Sequence, residues 1–152
     1  MRVVVQRVRR AAVVIADREC ARIAGGLLVL LGVAAGDTPE DAGWLAGKVA
    51  RLRIFPDDAG LMNRAVGAAG APGDLLVVSQ FTLLASTCHG NRPAFTGAAR
   101  PEQAEPLYRE FVALLAAASG RPVATGTFGA DMQVELVNDG PVTIIIDSRL
   151  RE

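Results

Sequence analysis

Apolar and polar positions alternate with two periods along this chain, and the longest apolar stretch without charge in its middle third is Leu75–Val78. That run has the branched character and length of a buried strand. Ser79, Gln80 and Thr82 interrupt it before Leu83 and Leu84 resume. If strand geometry persists, Ser79 and Phe81 point to one face and Gln80 and Thr82 to the other. Polar groups at the end of a buried strand cost free energy unless paired. Their partner is either the protein's own backbone, as caps of a following turn, or a ligand.

From the amino end, Val3–Val5 and Val13–Ile15 are β-branched runs with Arg7, Arg9 and Arg10 between them. They predict two strands or one long bent strand. Ile23, Gly25-Gly26 and then LLVLLGV predict a turn and a buried strand, the glycines supplying permissive backbone. Thr38-Pro39-Glu40-Asp41 reads as a helix start, with a hydroxyl cap, proline in the first turn and acids at the positive end of the dipole. Leu45, Val49 and Leu52 recur at helical spacing, predicting a helix over 39–53 with Trp44 sealing its edge. Residues 65–73 and 88–100 read as loops. A second helix is expected from Glu102 to Ser119, with Leu107, Phe111, Leu114 and Leu115 on one face, an irregular start near Pro106 and a stop at Gly120. Met132–Val137, a turn at Asn138–Pro141 and Val142–Ile146 close the chain, the last run apolar enough for burial on both faces. The expected architecture is one α/β (α+β) domain over 1–152, a curved mixed or antiparallel sheet approaching a barrel with two packed helices.

Composition narrows function more than fold. Hydrophobic residues make up 51% and charged residues 21%, and 16 basic side chains balance 16 acidic ones, so no polyanionic partner is demanded globally. Lys48 is the only lysine; the arginine bias is either compositional or suited to bidentate phosphate contacts. Cys20, Cys88 and the single histidine, His89, lack metal-ligand spacing, so no zinc site and no metal or cofactor is expected. Unpatterned cysteines suit a reducing compartment. The apolar runs are too short for a signal peptide or a membrane span, so a cytoplasmic location is expected.

Asn138-Asp139-Gly140-Pro141 is the second polar cluster in an apolar setting. It is either a bare hairpin turn or a rigid element that meets a ligand through main chain alone. With MRVVVQRV, GGLLVLLGV, LLVVSQFTL, GNRPAFTGAA, PEQAEPLYREF and GTFGADMQVELVNDGPVTIIIDS in view, the chain resembles the bacterial D-aminoacyl-tRNA deacylases nearly end to end. Ser-Gln-Phe-Thr and Asn-x-Gly-Pro-Val-Thr at this separation carry the resemblance. A related branch has Pro-Gln-Ala-Thr at the first motif, which Ser79-Gln80-Phe81-Thr82 argues against.

The resemblance implies a homodimer that hydrolyses the ester joining a D-amino acid, or glycine, to the 3′ end of tRNA, rejects L-aminoacyl-tRNA, and meets neither DNA nor a membrane. Ser79, Gln80, Phe81 and Thr82 match the catalytic pocket motif. Gly140 and Pro141 match a cis Gly-Pro element that one subunit inserts into the other's pocket, with Arg7, Met132, Asn138 and Thr143 supporting it. Without a general-base histidine, Thr82 as covalent nucleophile is the lesser alternative, and water attack assisted by main-chain amides and the RNA 2′-OH is favoured. A non-catalytic dimeric module that binds aminoacyl-tRNA 3′ ends is the competing class. The chain departs from its relatives at Leu84–His89, where basic residues are usual; fewer charges there weaken phosphate contacts.

Overall fold

A computed structural model describes residues 1–151. The first strand, β1 (Arg2–Ile15), is the single bent strand among the two alternatives, and it is the seam of the fold. Ala16 and Asp17, at φ +48° and +60°, turn it tightly into β2 (Arg18–Ile23). Two consecutive left-handed residues match the twist of an antiparallel hairpin. β2 and then β3 (Gly26–Gly32) line one edge of β1, while the other edge is covered along almost its whole length by β8 (Gln133–Asp147).

Beyond β3 the sheet becomes parallel: β6 (Asp74–Ser79) pairs with β3, and β7 (Val123–Thr125) pairs with β6. The β3-to-β6 crossover carries α1 (Pro39–Ala50) and a small hairpin of β4 (Phe55–Pro56) and β5 (Met62–Arg64). The β6-to-β7 crossover carries a 3₁₀ turn (Phe81–Leu84) and α2 (Pro101–Ser119), which ends at Gly120 in the left-handed conformation. The mixed sheet, curled toward a barrel, and its two helices agree with the architecture expected from the pattern.

The sheet is apolar on both faces, as parallel sheets covered on both sides are. Val3, Val5, Leu27, Val29, Leu31, Leu75 and Val77 meet Leu45, Val49, Leu107, Phe111 and Leu115 of the helices. Val8, Ala11, Val13, Leu28, Leu76 and Val78 form the second core inside the curl, closed by Met132, Val134 and Leu136. Trp44 packs half-buried at the edge of the first core, as its place on the helix suggested.

Several expectations change. The first helix stops at Ala50 rather than 53, because residues 51–54 turn toward β4. Neither Gly25 nor Gly26 adopts a positive φ; Gly26 is required by close approach, since a Cβ there would overlap the Asp74 carbonyl of the neighbouring strand. Val142–Ile146 is half-buried on one side only, through Val142, Ile144 and Ile146, and Ile145 is 68% exposed. The Asn138–Pro141 cluster is not a hairpin turn. Val8 pairs with Asn138 and Gln6 with Thr143, so both halves of β8 run antiparallel to the same strand. Residues 139–142 are pushed out of a continuous ladder as a wide bulge, one of the few places a proline fits within a sheet.

The Met1 ammonium lies 2.8 Å from Asp37 Oδ2, with both groups fully buried. Ser148 Oγ accepts a second bond from it at 2.6 Å, and Arg149 reaches Asp37 from outside at 3.0 Å. This joins the start of β1, the loop before α1 and the end of β8.

Candidate active site

A cavity of about 600 Å³ opens at the carboxyl ends of the parallel strands β3 and β6. Leu31, Val78 and Tyr108 form its depth, and Ser79, Gln80 and Phe81 its mouth. Strand geometry does not persist past Ser79: Gln80 turns the chain at φ −144°, ψ 79°, and the 3₁₀ turn follows. The motif is therefore half-exposed rather than buried, with Ser79 and Gln80 intermediate, Thr82 exposed and Phe81 56% exposed. Gln80 Nε2 donates to Thr82 Oγ1 at 2.5 Å. As opening residues of a 3₁₀ turn, Phe81 and Thr82 present main-chain N–H groups that the turn itself does not use. Phe95 stands edge-on to Phe81, ring centroids 5.0 Å apart, and both rings wall the mouth.

Three residues that the pattern did not single out hold this junction. Arg2 donates from Nη1 to the Leu83 carbonyl at 2.8 Å and from Nε to Asp147 at 3.0 Å, so the turn is tethered to the end of β8. Burial pushes the Asp147 carboxyl up, but the Arg149 N–H and the Arg2 guanidinium outweigh it and hold its pKa below the ordinary value. Gly32 lies under the turn: a Cβ there would overlap the Leu84 side chain and come within 3.0 Å of the Gln80 carbonyl. Tyr108, on α2, donates from Oη to the Val77 carbonyl at 3.0 Å. No local signal marks Arg2 or Tyr108, since their partners lie 81 and 31 residues away.

Burial raises the Tyr108 hydroxyl to a pKa of about 12, against a weaker opposing pull from Thr125. The folded state therefore holds a proton that the unfolded chain releases near pH 10. Its stabilisation is complete below that pH and is lost as pH rises toward 12. Tyr108 is the only tyrosine, so alkaline absorbance at 295 nm reads this one group. The titration should be centred about two units higher in the native protein than in urea, with Tyr108→Phe flat and destabilised by about 1 kcal/mol.

The Gly140–Pro141 peptide is cis, and Gly140 has φ +122°. Both residues are exposed at the tip of the β8 bulge. Arg7 braces the bulge from below: its Nε donates to the Asp139 carbonyl at 3.1 Å and its Nη1 to the Ile54 carbonyl at 2.5 Å. Asn138 Nδ2 donates to Thr143 Oγ1 at 3.0 Å across the base of the bulge. Of the residues singled out beforehand, Arg7, Asn138, Gly140, Pro141 and Thr143 thus form one group. Ser79, Gln80, Phe81 and Met132 line the cavity, with Thr82 at its lip, and Gly140 and Pro141 do not line it. Among the described residues no group of three His, Cys, Asp or Glu side chains could hold a metal ion, and no helix is long and apolar enough to cross a membrane. His89 is exposed in the loop after the 3₁₀ turn, outside the cavity lining.

The curled mixed sheet thus carries a cavity beyond its parallel strands and a braced Gly-Pro bulge on its long last strand. A model of the family described as D-Tyr-tRNA(Tyr) deacylase matches residues 4–147, and the chain belongs to that family. Proteins named D-aminoacyl-tRNA deacylase are similar to it throughout. That of Opitutus terrae is 59% identical over 152 residues, covering 100% of both chains. That of Cytophaga hutchinsonii is 58% identical over 149 residues, covering 98% of both. A solved structure described as c-Myc DNA unwinding element binding protein superposes with TM-score 0.88 at 38% identity, over 97% of this chain and 98% of that one. Another, described as a probable eukaryotic D-amino acid tRNA deacylase, gives TM-score 0.79 at 20% identity over 95% and 97%, a likeness of fold alone.

Proposed function

We propose that this chain is a homodimeric, cytoplasmic hydrolase that cleaves the ester of D-aminoacyl-tRNA and glycyl-tRNA at the 3′ end and spares L-aminoacyl-tRNA. The observation that carries this reading is a division of parts. The cavity opens at Ser79–Phe81, whereas Gly140–Pro141 stands exposed on a braced bulge outside that cavity. One chain presents a pocket and a plug without joining them, so the plug enters the pocket of a second copy. Exposed Phe81 and Ile145 offer apolar surface to such a contact.

In the joined site the main-chain oxygens of the Gly-Pro element face the α-carbon of the substrate. A side chain of L configuration would meet them, a D side chain points away, and glycine has nothing to exclude. An aminoacyl ester is already activated, so a bound water, oriented beside the RNA 2′-OH, suffices as nucleophile. Ser79, Gln80 and the N–H groups of Phe81 and Thr82 position the ester and meet the developing oxyanion. Phe81 and Phe95 wall the terminal adenine. Thr82 has no neighbouring base, and its oxygen already accepts from Gln80, which leaves it a positioning role.

Mixed dimers test the arrangement. Gln80→Ala and Gly140→Ala homodimers are each expected to be defective on D-Tyr-tRNA. After the two are unfolded together and refolded, mixed dimers hold one intact pocket served by one intact plug, and activity should return. No recovery in verified mixed dimers would mean that pocket and plug belong to the same chain.

A further inference from the structure

A second concavity, of about 400 Å³, lies beside the carboxyl end of α1 and is lined by Trp44, Lys48, Arg51, Leu52 and Arg53. Three of these five side chains are cationic. Among the described residues none of the three has a carboxylate within ion-pair distance; Arg10, Arg18, Arg92, Arg100 and Arg121 also have none, but the groove gathers three such cations in one lining. The Lys48 ammonium lies 5.5 Å from the Trp44 ring centroid, which holds its flexible stem against the wall of the groove. Arg53 is fixed in the same way, with Nε donating to the Asn63 carbonyl at 2.8 Å and Nη2 meeting the Asn63 side chain. In a chain whose charges balance overall, three cations without acidic partners in one groove, two of them held in place, make a local anion site.

Its position says which anion. Ile54 directly follows Arg53, and its carbonyl accepts from Arg7, the residue that also grips the carbonyl before Gly140. The groove and the Gly-Pro bulge are therefore two ends of one rigid assembly. Resting on the proposed exchange of bulges between subunits, a bulge seated in the partner's pocket brings this groove alongside the RNA whose 3′ end occupies that pocket. We propose that Lys48, Arg51 and Arg53 hold backbone phosphates of the substrate RNA in trans, so that the subunit supplying the plug also supplies the grip on the acceptor arm.

Lys48 allows a test that does not depend on activity. It is the only lysine, and the Met1 amine is buried in its ion pair, so an amine-acylating reagent reports on Lys48 almost alone. Saturating uncharged tRNA should slow Lys48 acylation by about tenfold, and the triple variant Lys48→Glu, Arg51→Glu, Arg53→Glu should lower the slope of log affinity against log salt by about 2 to 3. On D-Tyr-tRNA its KM should rise by at least about tenfold with kcat nearly held. Lys48→Gln with Arg51→Gln leaves the Arg53–Asn63 contact in place and should lower the slope by about 1 to 2. Arg18→Glu, the same charge change on the β1–β2 ribbon, should leave the slope unaltered.

Equal labelling of Lys48 with and without tRNA, or an unchanged salt slope in the folded triple variant, would overturn the proposal. So would protection of Lys48 that grows with protein concentration in the absence of RNA, which would make the groove a contact between proteins. If wild-type protein leaves D-Tyr-tRNA intact, the hydrolase reading fails by itself, while labelling and salt slope still report on the groove.

Discussion

Gly140→Ala is expected to lower turnover of D-Tyr-tRNA by about two orders of magnitude while the protein stays folded and dimeric, since a displacement of about 1 Å at a positioned group has that effect. The residue sits at φ +122°, where an L side chain is strained by about 1–3 kcal/mol. Its Cβ would stand 2.8 Å from Arg7 Nη2 and 3.0 Å from Val142 Cγ2. Arg7 cannot simply swing aside, because bonds to Ile54 and Asp139 hold both sides of its guanidinium. The bulge tip must move instead. It lies outside the sheet ladder, so the movement should leave the two cores untouched. Single-turnover rates and the sedimenting mass of the variant check both halves of the expectation; a wild-type rate would mean that the tip does not position substrate.

The largest loss of stability is expected from Gly26→Ala. The added Cβ would overlap the Asp74 carbonyl oxygen and lie 2.6 Å and 2.9 Å from Asp74 C and N, which is backbone and cannot rotate away. The first residues of the β3–β6 ladder would have to part. That would strand the Asp74 N–H bond to Gly25 and the Ala24 N–H bond to the Asp74 carboxylate. Overpacking against backbone that cannot yield amounts to about 2–3 kcal/mol, or roughly 5–10 °C in Tm for a chain of this size. Gly43→Ala makes the contrast. On the exposed side of α1 its Cβ would reach only Leu114, at 4.0 Å, and the helix should gain about 0.5–1 kcal/mol. Thermal melts of the two variants should move in opposite directions.

Local chemistry announced both helices, because Thr38-Pro39-Glu40-Asp41 and Gly120 carry their own start and stop signals. The long apolar runs of β3 and β6 were equally plain. β2, with Arg18, Glu19 and Arg22 among its six residues, was not, since one edge of β1 rather than its own hydrophobicity makes it a strand. β7, three residues long, is set by β6 in the same way. The Asn-Asp-Gly-Pro cluster shows the limit most clearly. A hairpin turn and an in-strand bulge use the same residue types, and only the pairing of Gln6 with Thr143 and of Val8 with Asn138 separates them.

At the site, the interruption of an apolar run by Ser79, Gln80 and Thr82 was legible, but its exposure was not. That exposure follows from a strand that gives way to a 3₁₀ turn two residues after Ser79. Arg2 and Tyr108 act on carbonyls far along the chain, and nothing in their neighbourhoods points there. The assignment of Arg7 and Met132 came from family resemblance alone. The structure places Arg7 under the Gly-Pro bulge and Met132 at the cavity rather than beside that bulge.

The proposed hydrolase needs a pocket that reads chirality at the α-carbon without a metal. Purified wild-type protein, given D-Tyr-tRNA and L-Tyr-tRNA side by side in the presence of a chelator, tests it directly. The account predicts rapid loss of the D ester and an L ester that decays no faster than in buffer. Loss of both esters at similar rates would contradict the role given to Gly140–Pro141, and survival of both would contradict the hydrolase itself.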